Sequence, residues 1–196
     1  MVDFNIVLYD DFEILDAFGP AEVIARLPEL YVLRCYSLDG GIVASSRGIQ
    51  VNTLPLDGME STGIVLLPGG MGTRILVERK DFIDQIARAS ETASHVLTVC
   101  TGSALLAKTG LLNGREATTN KRAFAWVASN GPEVRWARRA RWVRDGKYYT
   151  ASGVSAGIDM TLGFIRDMHG LETSITIAHE IEYVWNEDKE NDPFAI

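Results

Sequence analysis

Apolar positions along the chain follow two rhythms. Short, nearly continuous runs rich in β-branched residues alternate with longer stretches in which apolar residues return every three or four positions. Residues 4–9 (FNIVLY), 31–37 (YVLRCYS), 64–67 (IVLL) and 95–99 (HVLTV) are of the first kind and read as strands, the most apolar of them buried on both faces of a sheet. Residues 13–27, 81–92, 101–108, 121–129, 156–169 and 172–185 are of the second kind and read as helices. Gly19-Pro20 is expected to break or kink the first of these. Residues 41–52 read as a small hairpin or meander, and residues 117–119 as a short strand. Asp145-Gly146, between 138–144 and 147–150, is a hairpin turn signal.

Strands alternating with helices predict an α/β fold with a mostly parallel sheet flanked by helices. No linker tract, internal repeat or composition break divides the chain. We therefore expect one domain over 1–185, followed by a loose acidic tail over 186–196.

Composition narrows the function classes. Apolar residues make up 46% and charged residues 23% of 196 residues, which excludes disorder and fibrous repeats. Net charge is −7, so the chain gains no electrostatic attraction to nucleic acid or anionic membrane. Arg135, Arg138, Arg139, Arg141 and Arg144, with Trp136 and Trp142, imitate a nucleic-acid surface. A hairpin would split them between two faces, so they are expected to be solvated or to face a dimer partner. No apolar run approaches a membrane span, and the acid at position 3 argues against a secretory signal, so a cytoplasmic location is expected. His179-Glu180 lacks the second histidine of a zinc helix, because Tyr183 stands there, and no metal or other cofactor is expected.

Two cysteines build no disulfide framework, and their surroundings differ. Cys35 sits mid-strand and is expected in the core. Cys100 falls directly after the strand HVLTV and before a helix opening Thr101-Gly102-Ser103-Ala104. This is the geometry of a nucleophile elbow, and a helix N-terminus there is expected to lower the thiol's pKa. Ligands of such sheets bind at the carboxyl ends of strands, where two further features fall. The turn Pro68-Gly69-Gly70-Met71-Gly72 is expected to offer backbone N–H groups to an anion. The acidic stretch Asp10, Asp11, Glu13 and Asp16 ends the first strand. A carboxyl beside the thiol would be kept protonated and serve as a general acid, and spacing alone leaves Glu13 and Asp16 as equal candidates.

IVLLPGGMG at 64–72, HVLTVCTGSALLAKTGLLNGREATT at 95–119 and TASGVSAGIDMTLGFI at 150–165 together resemble the DJ-1/PfpI superfamily of the class I glutamine amidotransferase-like, flavodoxin-like fold. The resemblance runs from about residue 5 to 183. It is nearest to the isocyanide hydratase branch and extends to the N-terminal domains of AraC-type regulators. It implies Cys100 as nucleophile, Thr101 beside it, and Asp16 as catalytic acid through Leu15-Asp16-Ala17-Phe18-Gly19-Pro20. Gly70 and Met71 fall on the anion-holding turn. Many relatives carry histidine where Asn120 follows Ala117-Thr118-Thr119, so a Cys–His amidase pair is disfavoured and Asn120 becomes the expected substrate contact. The implied reaction is addition of water to an isocyanide by a cysteine-dependent lyase. A ligand or redox sensor and a small amide or thioester hydrolase are the alternatives. A regulator would require a helix-turn-helix module, and none is legible here. The resemblance also implies a homodimer with the 16–20 segment near its interface, where Phe18, Val23 and Leu27 form an apolar stripe.

Overall fold

The chain winds outward in both directions from the middle of one sheet. The computed structural model describes residues 1–59 and 62–195. In chain order the elements are β1 (Val2–Val7), α1 (Ile14–Ile24), β2 (Tyr31–Ser37), β3 (Asp39–Ala44), β4 (Gln50–Pro55), β5 (Ile64–Leu67), α2 (Thr73–Leu76), α3 (Lys80–Thr92) and β6 (His95–Val99). There follow α4 (Gly102–Lys108), β7 (Glu116–Ala117), α5 (Phe124–Asn130), β8 (Arg135–Trp136), β9 (Trp142–Asp145), β10 (Tyr148–Ala151), α6 (Ala156–His169) and α7 (Leu171–Glu180). The main sheet has the order β3-β4-β2-β1-β5-β6-β10-β9. Its interior pairs are parallel, whereas β3–β4 and β9–β10 at the two edges are antiparallel. β7 and β8 form a separate two-stranded parallel sheet.

Burial explains why the apolar runs become strands. All four residues of β5, and Val96 to Val99 of β6, are buried, as continuous β-branched runs require at the centre of a parallel sheet. Helix α1 packs on α6 and α6 on α7, while α3 and α5 pack on α4, so two helix groups cover the sheet. From β1 the chain crosses to β2, and from β5 it crosses the other way to β6. The strand order therefore reverses between β1 and β5, and the crevice at such a reversal is where a doubly wound sheet receives ligands.

Several expectations need correction. Helix α1 runs through Pro20 without ending there. The residue deprived of its N–H partner is Asp16, four positions earlier, whose carbonyl cannot be reached by an imide nitrogen. The apolar stripe is used within the chain: Val23 is fully buried, and Phe18 and Leu27 pack against the core.

The acidic tail is tied down. The Arg141 N–H donates to the Lys189 carbonyl (2.7 Å) and the Asp192 N–H to the Arg139 carbonyl (2.6 Å). Arg135, Arg138 and Arg139 are exposed as expected, but Arg141 and Arg144 are not simply solvated. Arg141 is buried with Asp159 (2.7 Å) and Asp192 (3.3 Å), while Arg144 pairs with Asp167 (2.9 Å). Cys35 is half-buried in β2, against the core rather than in it. Among the described residues, no helix is long and apolar enough to cross a membrane.

Candidate active site

Asp16, the 68–72 turn and Cys100 hang from the carboxyl ends of adjacent strands β1, β5 and β6, at the point where strand order reverses. Cys100 occupies the corner between β6 and α4 with φ +58°, a left-handed conformation that costs a residue with a Cβ roughly 1–3 kcal/mol. The corner is over-determined. The Cys100 N–H donates to the Ser152 carbonyl (2.8 Å), and its carbonyl accepts from Thr119 Oγ1 (2.7 Å) and Ser103 Oγ (2.9 Å). These bonds hold the strained backbone so that the sulfur lines a cleft while the residue is only 7% exposed.

Asp16 is fully buried. Its Oδ2 accepts the Gly69 N–H (2.9 Å), its Oδ1 has no hydrogen-bond partner among the described residues, and the Cys100 thiol interacts with the carboxyl. Burial is the largest influence on this carboxyl, and with Glu13 nearby it lifts the pKa to about 7 against the pull of the Gly69 and Cys100 hydrogen bonds. A carboxyl that releases its proton near neutrality suits proton transfer in either direction. Spacing left Glu13 and Asp16 equal; in the structure Asp16 is enclosed beside the sulfur, whereas Glu13 is part-exposed on the wall of the cleft.

The thiol does not behave as its helix position suggested. Burial first, then the charge of Asp16, push its pKa up, and the hydrogen bonds from the Thr101 N–H and the Asn120 side chain only partly oppose them. Two acids beside each other in a poorly solvated corner cannot both ionise cheaply. The resting site therefore holds its thiol proton, and the first negative charge of the pair resides mainly on Asp16. Tyr9, buried beneath, is also driven upward by burial and by Asp16 and Cys100, and its hydroxyl donates to the Pro68 carbonyl.

The glycine turn has a different duty from the one its sequence suggests. The Gly69 N–H is spent on Asp16, and the Gly70 N–H on Thr101 Oγ1 (3.0 Å). Thr101 Oγ1 also accepts from Thr73 Oγ1 (3.1 Å), which knits the turn, α2 and the elbow together. Gly70 is thus an internal clamp on the catalytic candidates, and the anion-holding role expected of its N–H is occupied by a protein oxygen. Gly69 must be glycine for steric reasons: a Cβ would lie 2.6 Å from Thr101 N and 2.8 Å from Asp16 Oδ2.

Cys100, Thr101, Gly70, Met71 and Asn120 line one cleft of about 420 Å³, together with Glu13, Arg74, Arg122 and Val154. The structure thus gathers every expected site residue into one neighbourhood, with Asp16 just behind the wall. Asn120 is the residue expected to contact the substrate. Its Oδ1 accepts the Ala123 N–H (3.0 Å), which leaves its amide N–H groups for the sulfur.

Sequence reasoning overlooked Val154, Arg74 and Arg122. Val154 is a β-branched residue at φ +45° on the cleft wall. Its signal was the Gly153-Val154-Ser155 segment directly after a strand, and Arg74 and Arg122 likewise lie just beyond the Gly70-Met71 turn and Asn120.

The chain matches the DJ-1/PfpI family over residues 4–167. It is 32% identical over 180 residues to the isonitrile hydratase of Pseudomonas putida, covering 91% of this chain and 77% of that protein. It is 31% identical over 185 residues to the HTH-type transcriptional regulator GbdR of Pseudomonas aeruginosa, covering 91% of this chain but only 50% of the regulator. Among solved structures, it superposes on a THiJ/PfpI family protein from Pseudomonas syringae with a TM-score of 0.86 at 23% identity, covering 98% of this chain and 77% of the other. Drosophila melanogaster DJ-1beta superposes with a TM-score of 0.78 at 20% identity, covering 94% of this chain and 99% of that one. In sequence and in fold, this chain belongs to the DJ-1/PfpI family.

Proposed function

We propose that the protein hydrates isocyanides to N-formamides through a covalent bond to Cys100. The observation that carries this reading is a buried carboxyl with a pKa of about 7, paired with a thiol on a strained corner and with no cation among the described residues to stabilise its charge. The 32% identity to an isonitrile hydratase supports the choice of substrate class.

In the first step Sγ attacks the terminal carbon of R–N≡C. The thiol proton passes to Asp16, and Asp16 delivers it to that same carbon. The carbon thereby gains one C–S and one C–H bond, giving the thioimidate R–N=CH–S–Cys100. Asp16 is then a carboxylate again. It takes a proton from water as the oxygen adds to the carbon and passes a proton to nitrogen. Collapse of the adduct breaks the C–S bond and releases R–NH–CHO with the thiol restored. One water is consumed, and the enzyme needs no net proton. Thr101 holds the Gly70 turn against the elbow, and Asn120 donates to the sulfur as the C–S bond breaks.

A homodimer in the cytoplasm, acting on a small molecule rather than on nucleic acid, fits the family resemblance. The similarity to GbdR favours one competing reading, a ligand-sensing domain that binds in the same cleft without turnover. Incubation with para-nitrophenyl isocyanide separates the two. We expect formamide to accumulate with the wild type and a mass adduct on Cys100 to form during turnover. Formamide production that persisted in Cys100→Ala, or its absence from the wild type, would refute the hydratase.

A further inference from the structure

The rim of the Cys100 cleft is cationic in a chain that is acidic overall. Arg74 and Arg122 line it together with a single rim carboxylate, Glu13, while the whole chain carries −7. Neither Arg74 nor Arg122 has an ion-pair partner among the described residues; Arg47, Arg88, Arg138 and Arg139 also lack one, but only Arg74 and Arg122 line this cleft.

Arg74 is nevertheless held in place. Its guanidinium stacks 4.7 Å from the centroid of the Trp126 ring, and its Nη1 lies 3.6 Å from the Met71 sulfur. These contacts engage Cζ and Nη1 and leave Nε and Nη2, the edge that can fork onto a carboxylate, without a partner among the described residues. Arg122 follows Asn120 by two residues and lines both this cleft and a neighbouring one of about 390 Å³, whose wall includes Val154 and Phe194. The two guanidiniums thus share a cleft with the nucleophile, and its size suits one small organic ring or short chain.

We propose that the substrate carries a carboxylate at the end remote from the reacting carbon, and that Arg74 and Arg122 bind it. The class is an isocyano carboxylic acid, with the isocyanide carbon on Cys100 and the acid at the rim. This inference rests on the hydratase reading for the reacting group, but the anion site stands on the rim arginines. Glu13 opposes the anion and sets an upper limit on its affinity, so it should discriminate against dianions.

The test compares 4-isocyanobenzoate with isocyanobenzene. We expect kcat/KM at low ionic strength to favour the carboxylate by about tenfold, mostly through KM, with the preference shrinking as salt is added. The ratio should fall to about one in the double variant Arg74→Gln, Arg122→Gln and rise in Glu13→Gln. A wild-type ratio near one, or a ratio unaffected by removing both arginines, would overturn the anion site.

Calorimetry on Cys100→Ala with 4-formamidobenzoate and formanilide, the corresponding products, makes the same comparison without chemistry. About tenfold tighter binding of the carboxylate, weakened by salt, supports the site, and equal binding rejects it. Absence of turnover with both isocyanides would count against the hydratase, and the binding comparison would still decide the rim.

Discussion

Asp16 and Asp159 are both fully buried, and the fold treats them oppositely. Asp159 receives Arg141 through two nitrogens (2.9 and 2.7 Å), the Tyr183 hydroxyl (3.1 Å) and the Asn186 N–H (3.0 Å). Burial pulls its pKa upward, but these four donors act against it and hold the anion in place. Asp16 receives one backbone N–H and a thiol, and no cation among the described residues. The first arrangement anchors the C-terminal segment, since Arg141 also reaches Asp192 and Trp185 Nε1 donates to the Asp159 carbonyl (3.1 Å). The second stores an unfavourable charge where a proton can move. A buried carboxylate with a matched cation belongs to architecture; one without a cation, beside a nucleophile, is prepared for chemistry.

This contrast can be broken from either side. The largest expected effect is on catalysis: Cys100→Ala should lower isocyanide turnover by ~10³-fold or more, with thermal stability nearly unchanged. Asp16→Asn should lower kcat by ~10²–10⁴-fold, as loss of a general acid–base does. Its stability signature should also be distinctive. The folded pKa of about 7 lies above the ordinary value of 3.8, so the unfolded chain releases this proton first. The wild type therefore keeps Asp16's contribution below about pH 4 and loses it progressively up to about pH 7. Relative to the wild type, Asp16→Asn should gain stability as pH rises over that window and level off above it. Urea melts at pH 5 and pH 8 measure the difference, and a variant that lost ground with rising pH would contradict an unpaired Asp16.

On the architectural side, Arg141→Met should cost about 3–5 kcal/mol, because it strands Asp159 and Asp192 in the interior. Denaturant unfolding monitored by tryptophan fluorescence reads it directly, and a loss below about 1 kcal/mol would mean that Arg141 contributes little. The smallest effect is expected at Thr101. Thr101→Val removes the oxygen that accepts the Gly70 N–H and should cost about 1–3 kcal/mol of stability. Its catalytic effect should be smaller than that of Asp16→Asn, because Thr101 positions the turn and does not transfer the proton.

The strands and the elbow at Cys100 were legible because they obey local rules, whereas Asp16 and Asn120 were singled out by the family resemblance and not by spacing. Continuous apolar runs make central strands, and a residue just past such a strand lands at the ligand edge. What sequence missed depends on contacts between distant segments. The tail was expected to be loose because its acids look solvated, but two of its carbonyl and carboxyl groups meet Arg141, some fifty residues away in the chain. Gly19-Pro20 was expected to break or kink α1; the helix does not break there, and it packs along α6 through that point. The thiol was assigned a lowered pKa from its helix position; a seven-residue helix cannot outweigh burial and an adjacent carboxylate. The Gly70 N–H was assigned to a ligand because sequence cannot reveal that Thr101, thirty-one residues on, reaches it first.

The central claim is that Cys100 and Asp16 act as one acid–base pair. The most direct test is the pH dependence of Cys100 alkylation by iodoacetamide, followed by intact mass in the wild type and in Asp16→Asn. In the wild type the rate should rise through an apparent pKa of about 7, because ionised Asp16 takes the thiol proton as the C–S bond forms. In Asp16→Asn the rise near pH 7 should vanish and the reaction should require pH above about 9, where a buried thiol ionises on its own. Coincident profiles for the two proteins would show that the carboxyl does not govern the thiol, and would contradict the account.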